Sequence, residues 1–208
     1  MPPRLGSLLT GLCAALLLAA GLSAQSRWPA DPYRLARIPL DSAPACRQSV
    51  PVLTKDSLGP LRPGEQLQDL ERACPHLLYV WSWTDEGIPT PAVWLQFGQA
   101  RILVVFSDTL STSWVLRLVT NSPLVRTAEG FGPGSRLAWI SHSLGQLSFG
   151  QRECMLYAKY HSRPGLVFKV NAPDTWGCDA REALLSGRRL VIPRTTTVLE
   201  VVLVGAPK

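Results

Sequence analysis

Thr127–Gly145 reads Thr-Ala-Glu-Gly-Phe-Gly-Pro-Gly-Ser-Arg-Leu-Ala-Trp-Ile-Ser-His-Ser-Leu-Gly. Glycines at 130, 132 and 134 make a tight loop, and an amphipathic segment follows it. Leu137, Ile140 and Leu144 recur at helical spacing and line one face. Ser135 stands where an N-cap hydroxyl belongs, and Gly145 where a helix commonly stops. An earlier stretch, Thr54–Cys74, echoes this one: Thr-Lys-Asp-Ser-Leu-Gly-Pro-Leu-Arg-Pro-Gly-Glu-Gln-Leu-Gln-Asp-Leu-Glu-Arg-Ala-Cys. Its helix should start near Glu65, put Leu67, Leu70 and Ala73/Cys74 on one face, and end at Pro75.

The two stretches align. Thr54 matches Thr127, Asp56 matches Glu129, and Gly59-Pro60 matches Gly132-Pro133. After a three-residue gap Gly64 matches Gly134, Leu67 matches Leu137 and Leu70 matches Ile140. Self-similarity at a fixed spacing is the mark of a repeated supersecondary unit.

Strand signals follow both stretches. In the first half they cover Leu77–Trp83, Ala92–Phe97, Arg101–Phe106 and Trp114–Val119, with Gly98-Gln99 as a hairpin turn. Strict alternation puts Val115 and Arg117 on one face of the last strand, and Trp114, Leu116 and Leu118 on the other. Gln48–Leu53 reads as a short edge strand, since Pro51 cannot donate to a ladder. In the second half the strands are Glu153–Tyr160, Leu166–Val170, Arg189–Ile192 and Val198–Val204. Arg163-Pro164-Gly165 reads as a turn and Asp179–Leu185 as a helical turn. The fold class expected is α+β: two tandem repeats of a short helix packed on an antiparallel sheet, able to join as one continuous curved sheet. The first repeat spans 46–122 and the second 123–208. An extended, Pro- and Arg-rich segment at 25–45 precedes them.

Residues 1–24 carry Arg4, an apolar run over Leu8–Leu22, and a small-residue site at Leu22-Ser23-Ala24, as a secretory signal peptide does. The run is about 15 residues, short of the roughly 20 that span a bilayer. The mature chain is expected to be exported, periplasmic or extracellular, with no transmembrane segment. Cys13 lies inside the apolar run, which argues against lipidation there. The four remaining cysteines, Cys46, Cys74, Cys154 and Cys178, fit disulfides in an oxidising compartment. Three pairings are possible. Cys46–Cys74 and Cys154–Cys178 are favoured because each stays within one half. Each loop would stabilise the fold by about 3–4 kcal/mol.

The formal net charge is +6, spread along the chain, and only Arg188-Arg189 places two basic residues side by side. Nucleic acid is therefore not an expected partner. His76, His142 and His161 have no metal-ligand spacing, so no metal or other cofactor is expected. No Gly-x-Ser-x-Gly nucleophile elbow occurs. The glycines before Ser135 could imitate a phosphate cradle, but no Lys-Ser/Thr follows them. Trp81, Trp83 and Trp94 are the candidate binding residues, with Trp94 across a hairpin from the other two. The expected function is non-enzymatic: an exported binding or envelope-associated protein that meets an unknown protein or envelope component through a sheet surface. The alternative is a secreted hydrolase whose site gathers His76, Asp85, Glu86 and His161 from distant positions.

The phrases Ser57-Leu58-Gly59-Pro60-Leu61-Arg62-Pro63-Gly64 and Thr127-Ala128-Glu129-Gly130-Phe131-Gly132, each followed by a helix and strands, resemble those of a loose group of exported bacterial proteins. Their folds are similar to the tandem helix-plus-sheet units of the beta-lactamase inhibitor protein and of the small lipoprotein of the outer-membrane barrel-assembly machinery. The resemblance covers about residues 46–204 and implies the fold. Such relatives inhibit or scaffold, so it implies no single activity. Glu65 stands where the first helix of the group often has an apolar residue, and the absence of a lipobox removes any implied membrane tether.

Overall fold

The computed structural model describes residues 28, 45–47, 49–74, 77–83, 88–145, 147–152, 155–160, 163–171 and 193–205, with backbone alone at 45–47, 83, 151–152 and 163–164. The elements in order are β1 (Ala45–Arg47), α1 (Leu67–Ala73), β2 (Leu78–Trp83), β3 (Pro89–Phe97), β4 (Ala100–Phe106), β5 (Val115–Thr120), α2 (Leu137–Leu144), β6 (Leu147–Arg152), β7 (Met155–Tyr160), β8 (Arg163–Val170) and β9 (Val198–Val204). The fold is mixed α+β and mostly sheet.

All nine strands belong to one sheet, ordered β1-β3-β4-β5-β9-β8-β7-β6, with β2 also on β3. β1 runs parallel to β3, and the other pairings are antiparallel. The element order is therefore helix then four-strand meander, met twice. The two meanders join where β5 meets β9, with Arg117 opposite Val204, Leu118 opposite Leu203, Val119 opposite Val202 and Thr120 opposite Val201.

Cross-strand partners share a face of the sheet. One row runs from half-buried Tyr79 through buried Val93, Val104, Leu118, Leu203 and Leu166. Leu67 and Leu70 of α1 and Leu137 and Ile140 of α2 join the same core, so both helices cover this face. Each fully buried aliphatic side chain contributes roughly 1.5–3 kcal/mol. Trp28 also enters this core, edge-on to Tyr79 at 4.9 Å and to Phe106 at 6.4 Å.

The loop-and-helix units make matching hydrogen bonds. In the first, Gly64 N donates to Val115 O, Val115 N to Glu65 O, and Leu67 N to Ser113 O. In the second, Gly134 N donates to Val198 O, Val198 N to Ser135 O, and Leu137 N to Thr196 O. Gly64 and Gly134 hold φ of 88° and 86°, values a side chain disfavours. Both last strands also bulge. The register skips Leu116 on β5 and Leu199 on β9, and both leucines are exposed.

Several expectations need correction. The β5 bulge puts Val115 and Leu118 both in the core, so strict alternation from Trp114 fails. Of the expected edge strand at Gln48–Leu53, residues 49–53 do not form one; β1 ends at Arg47, and Leu53 makes isolated bridges to Leu58 and Thr127. β6 was not foreseen. The backbone of Arg163–Gly165 continues β8 instead of turning. Ser135 is not the N-cap of α2. Arg136 holds that position in extended conformation, with no side-chain cap bond. Gly145 is the C-cap as expected. Arg189–Ile192 and Asp179–Leu185 lie outside the described residues.

A Cβ at Gly132 would overlap the carbonyl oxygen of Val125, whereas one at Gly64 meets no atom within 4 Å. Gly132→Ala should cost about 3 kcal/mol because backbone must move. Gly64→Ala should cost about 1–2 kcal/mol, from its dihedral alone. Urea unfolding of the two variants measures the order, and equal losses would contradict it.

Candidate functional site

The face of the sheet away from the helices is covered by no helix or strand among the described residues. Its first half carries a second apolar cluster: Val80 of β2, Ala92 of β3 and Val105 of β4, with Leu78, Trp94 and Leu103 packed on them. The register explains the grouping. Leu78 pairs with Trp94 and Trp94 with Leu103, while Val80 pairs with Ala92 and Ala92 with Val105. The hairpin at Gly98, φ 57°, sets that register between β3 and β4. Trp94 and Leu103 keep partial contact with solvent.

The three candidate tryptophans do not form one patch. Trp81 pairs with Pro91, three residues from Trp94, so Trp81 and Trp94 point to opposite faces. Trp81 packs against the helix-side core instead. Trp83 pairs with Pro89 in register, and its side chain lies outside the described set. Only Trp94 is placed on the open face.

Arg117 of β5 joins this patch, since its cross-strand neighbours on the same face are Val105 and Val204. Its Nε is buried without a hydrogen-bond partner. Among the described residues no ion pair is found for it. A buried donor left unpaired costs about 1–3 kcal/mol. The matching place in the second half is different. By register, Glu200 of β9 occupies the position of Arg117, and Lys169 of β8 occupies that of Val105. Lys169 Nζ lies 3.4 Å from Glu200 Oε2, so that charge is paired across the strands. Sequence reasoning passed over Arg117 as one scattered basic residue. The signal is the valine opposite it, which only the pairing reveals.

The other candidates offer no site. The amides of Gly130, Phe131, Gly132 and Gly134 are engaged within the protein. Gly130 N donates to Thr127 O, Phe131 N to Thr127 Oγ1, Gly132 N to Ser135 Oγ at 3.1 Å, and Gly134 N to Val198 O. Arg126 Nη1 donates to the same Ser135 hydroxyl at 2.7 Å. The amides of the three loop glycines thus serve as a structural clamp and are not free for an anion. His142 is exposed on α2. His76, Asp85, Glu86 and His161 lie outside the described residues, so the alternative hydrolase site has no described geometry. Among the described residues no cluster of His, Cys, Asp and Glu is placed to hold a metal ion. Cys74 is buried and disulfide-bonded. Cys46 lies in β1, described by backbone alone, and Cys154 and Cys178 fall outside the described residues.

No family model and no curated protein matches the chain. Among solved structures, the chain is similar to the uncharacterized protein YfeY from Escherichia coli, at 9% identity and a TM-score of 0.45, over 77% of this chain and 99% of that one. A likeness of that size bears on neither family nor function.

Arg117 is held against valines with its Nε unpaired, so removing it should help the fold. Arg117→Leu is expected to raise stability by about 1 kcal/mol. Lys169→Leu, which strands Glu200, should lower it. Thermal melts of both variants decide, and a destabilised Arg117→Leu protein would contradict the reading.

Proposed function

We propose that this is an exported, non-enzymatic binding protein that meets its partner through the open face of the sheet. One observation carries the reading: Trp94, Leu103 and their neighbours form an apolar cluster on a face that neither described helix covers. Partly exposed aromatic residues in such a cluster are the usual anchors of protein interfaces. The contact surface is the first half of the face, centred on Trp94. Trp81 supports the core beneath it.

The scaffold is a duplicated module on this reading, with residues 46–122 and 123–208 as its copies. The repeated clamp from Gly64 and Gly134 to the last strand of each meander supports it, as do the matching bulges at Leu116 and Leu199. Its kinship with tandem helix-plus-sheet inhibitors and scaffolds belongs to the same proposal. Export rests on the apolar N-terminal segment and the cysteine usage. Among the described residues no helix is long and apolar enough to cross a membrane.

A photo-crosslinking residue in place of Leu103 should capture a protein in an envelope extract of the source organism. The same residue in place of Ala138, exposed on α2, should not. Equal capture from both positions, or none from 103, would overturn the assignment of the face. Peptide mapping without reductant tests the module boundaries independently. Linked peptides for Cys46–Cys74 and Cys154–Cys178 are expected. A link between the two halves rejects the pairing.

A further inference from the structure

Resting on that reading of the open face, we infer that the partner is a protein that places an aspartate or glutamate side chain on Arg117. The halves of the sheet supply the comparison. At matching positions the second half pairs Lys169 with Glu200 across adjacent strands. The first half sets Arg117 between Val105 and Val204, with no acidic residue opposite. A guanidinium offers a planar fork of donors that a single carboxylate fits in two hydrogen bonds. Its Nε is withdrawn from solvent and unpaired, while the two terminal nitrogens are not among the buried atoms, so an arriving carboxylate meets the guanidinium at its Nη edge. Val105 and Val204 stand opposite it and Leu103 diagonally from it as the apolar surround, with Trp94 one strand further out. Such a ring excludes water and strengthens a central charge contact.

The other charges on this face narrow the partner further. Arg101, Lys159 and the Lys169–Glu200 pair sit apart from Arg117 in the register. Anionic membranes and nucleic acids call for clustered, solvent-facing cations. One recessed guanidinium within an apolar patch suits a single acidic side chain flanked by apolar residues. It acts as a specificity device as well. A partner with a neutral or basic residue at that point would leave the arginine buried and unanswered.

The test uses the full exported chain and fluorescein-labelled, end-capped peptides. The probe has one central Glu flanked by Leu and Phe, and its control peptides carry Gln or Lys in place of Glu. The Glu peptide should bind the wild-type protein at least about ten-fold more tightly than the Gln peptide, and the Lys peptide should not bind. Arg117→Leu should abolish that preference while melting no lower than wild type, so misfolding cannot explain the loss. Arg117→Lys should restore part of it. Preference for Glu that survives Arg117→Leu overturns the inference, as does equal binding of all three peptides or no binding at all. If Trp94→Ala weakens every peptide while Arg117→Leu changes nothing, the charge contact fails and the open-face reading stands. If neither variant changes binding and the crosslink from position 103 is also absent, the face reading fails with it. Tighter, Arg117-dependent binding to vesicles of phosphatidylglycerol and phosphatidylcholine would replace the protein partner by lipid and overturn the inference.

Discussion

Four residue pairs between β5 and β9 hold the molecule together as one sheet. Without that ladder each meander would be a four-stranded sheet with one short helix and a bare edge. Small units of that kind bury too little apolar surface to be stable alone. With it, a single row of side chains runs from Tyr79 on β2 to Leu166 on β8. Both helices pack on one core instead of two. The loop clamps depend on the same strands, because Val115 and Val198 each receive a glycine amide and donate back to the residue after it. The order of dependence is ladder, then core, then loops.

Much of this was legible in the residues, and the reasons for the rest are physical. Leu67, Leu70, Leu137 and Ile140 declare themselves by spacing, and all four are buried. Gly98 marks its hairpin because a tight turn needs that backbone. Ser135 looked like a cap because its position is right. Its hydroxyl instead accepts from Gly132 and Arg126, and the choice between those roles is made by the fold of the loop. The bulges at Leu116 and Leu199 defeat any reading by strict alternation, since one extra residue reverses the parity of everything before it. Trp28 packs on Tyr79 and Phe106, far along the chain, and nothing in its neighbourhood announces that.

The candidate surface was legible only in kind. An aromatic sheet surface was expected, and an apolar cluster with Trp94 is present. Trp81 went to the opposite face because the β2–β3 register sets it against Pro91. Arg117 was invisible because the residue that makes it unusual is a valine on another strand. Periodicity names the face a side chain occupies. Only pairing names its neighbours, and the chemistry of this surface lies in the neighbours.

The register at the centre of the sheet carries a further implication. Val119 faces Val202, and by the matching clamps these are the same position in the two halves. The ladder is therefore palindromic about that pair. Two separate chains, each ending just past β5, would meet in this same register about a twofold axis and rebuild the sheet as a homodimer. In such a dimer every substitution appears twice, so a lone arginine on one flank and an internal ion pair on the other are forbidden. A single polypeptide carries no such constraint. Asymmetry between Arg117 and Glu200 is open only to a single chain, and here it sets an unpaired arginine on one flank against a cross-strand ion pair on the other.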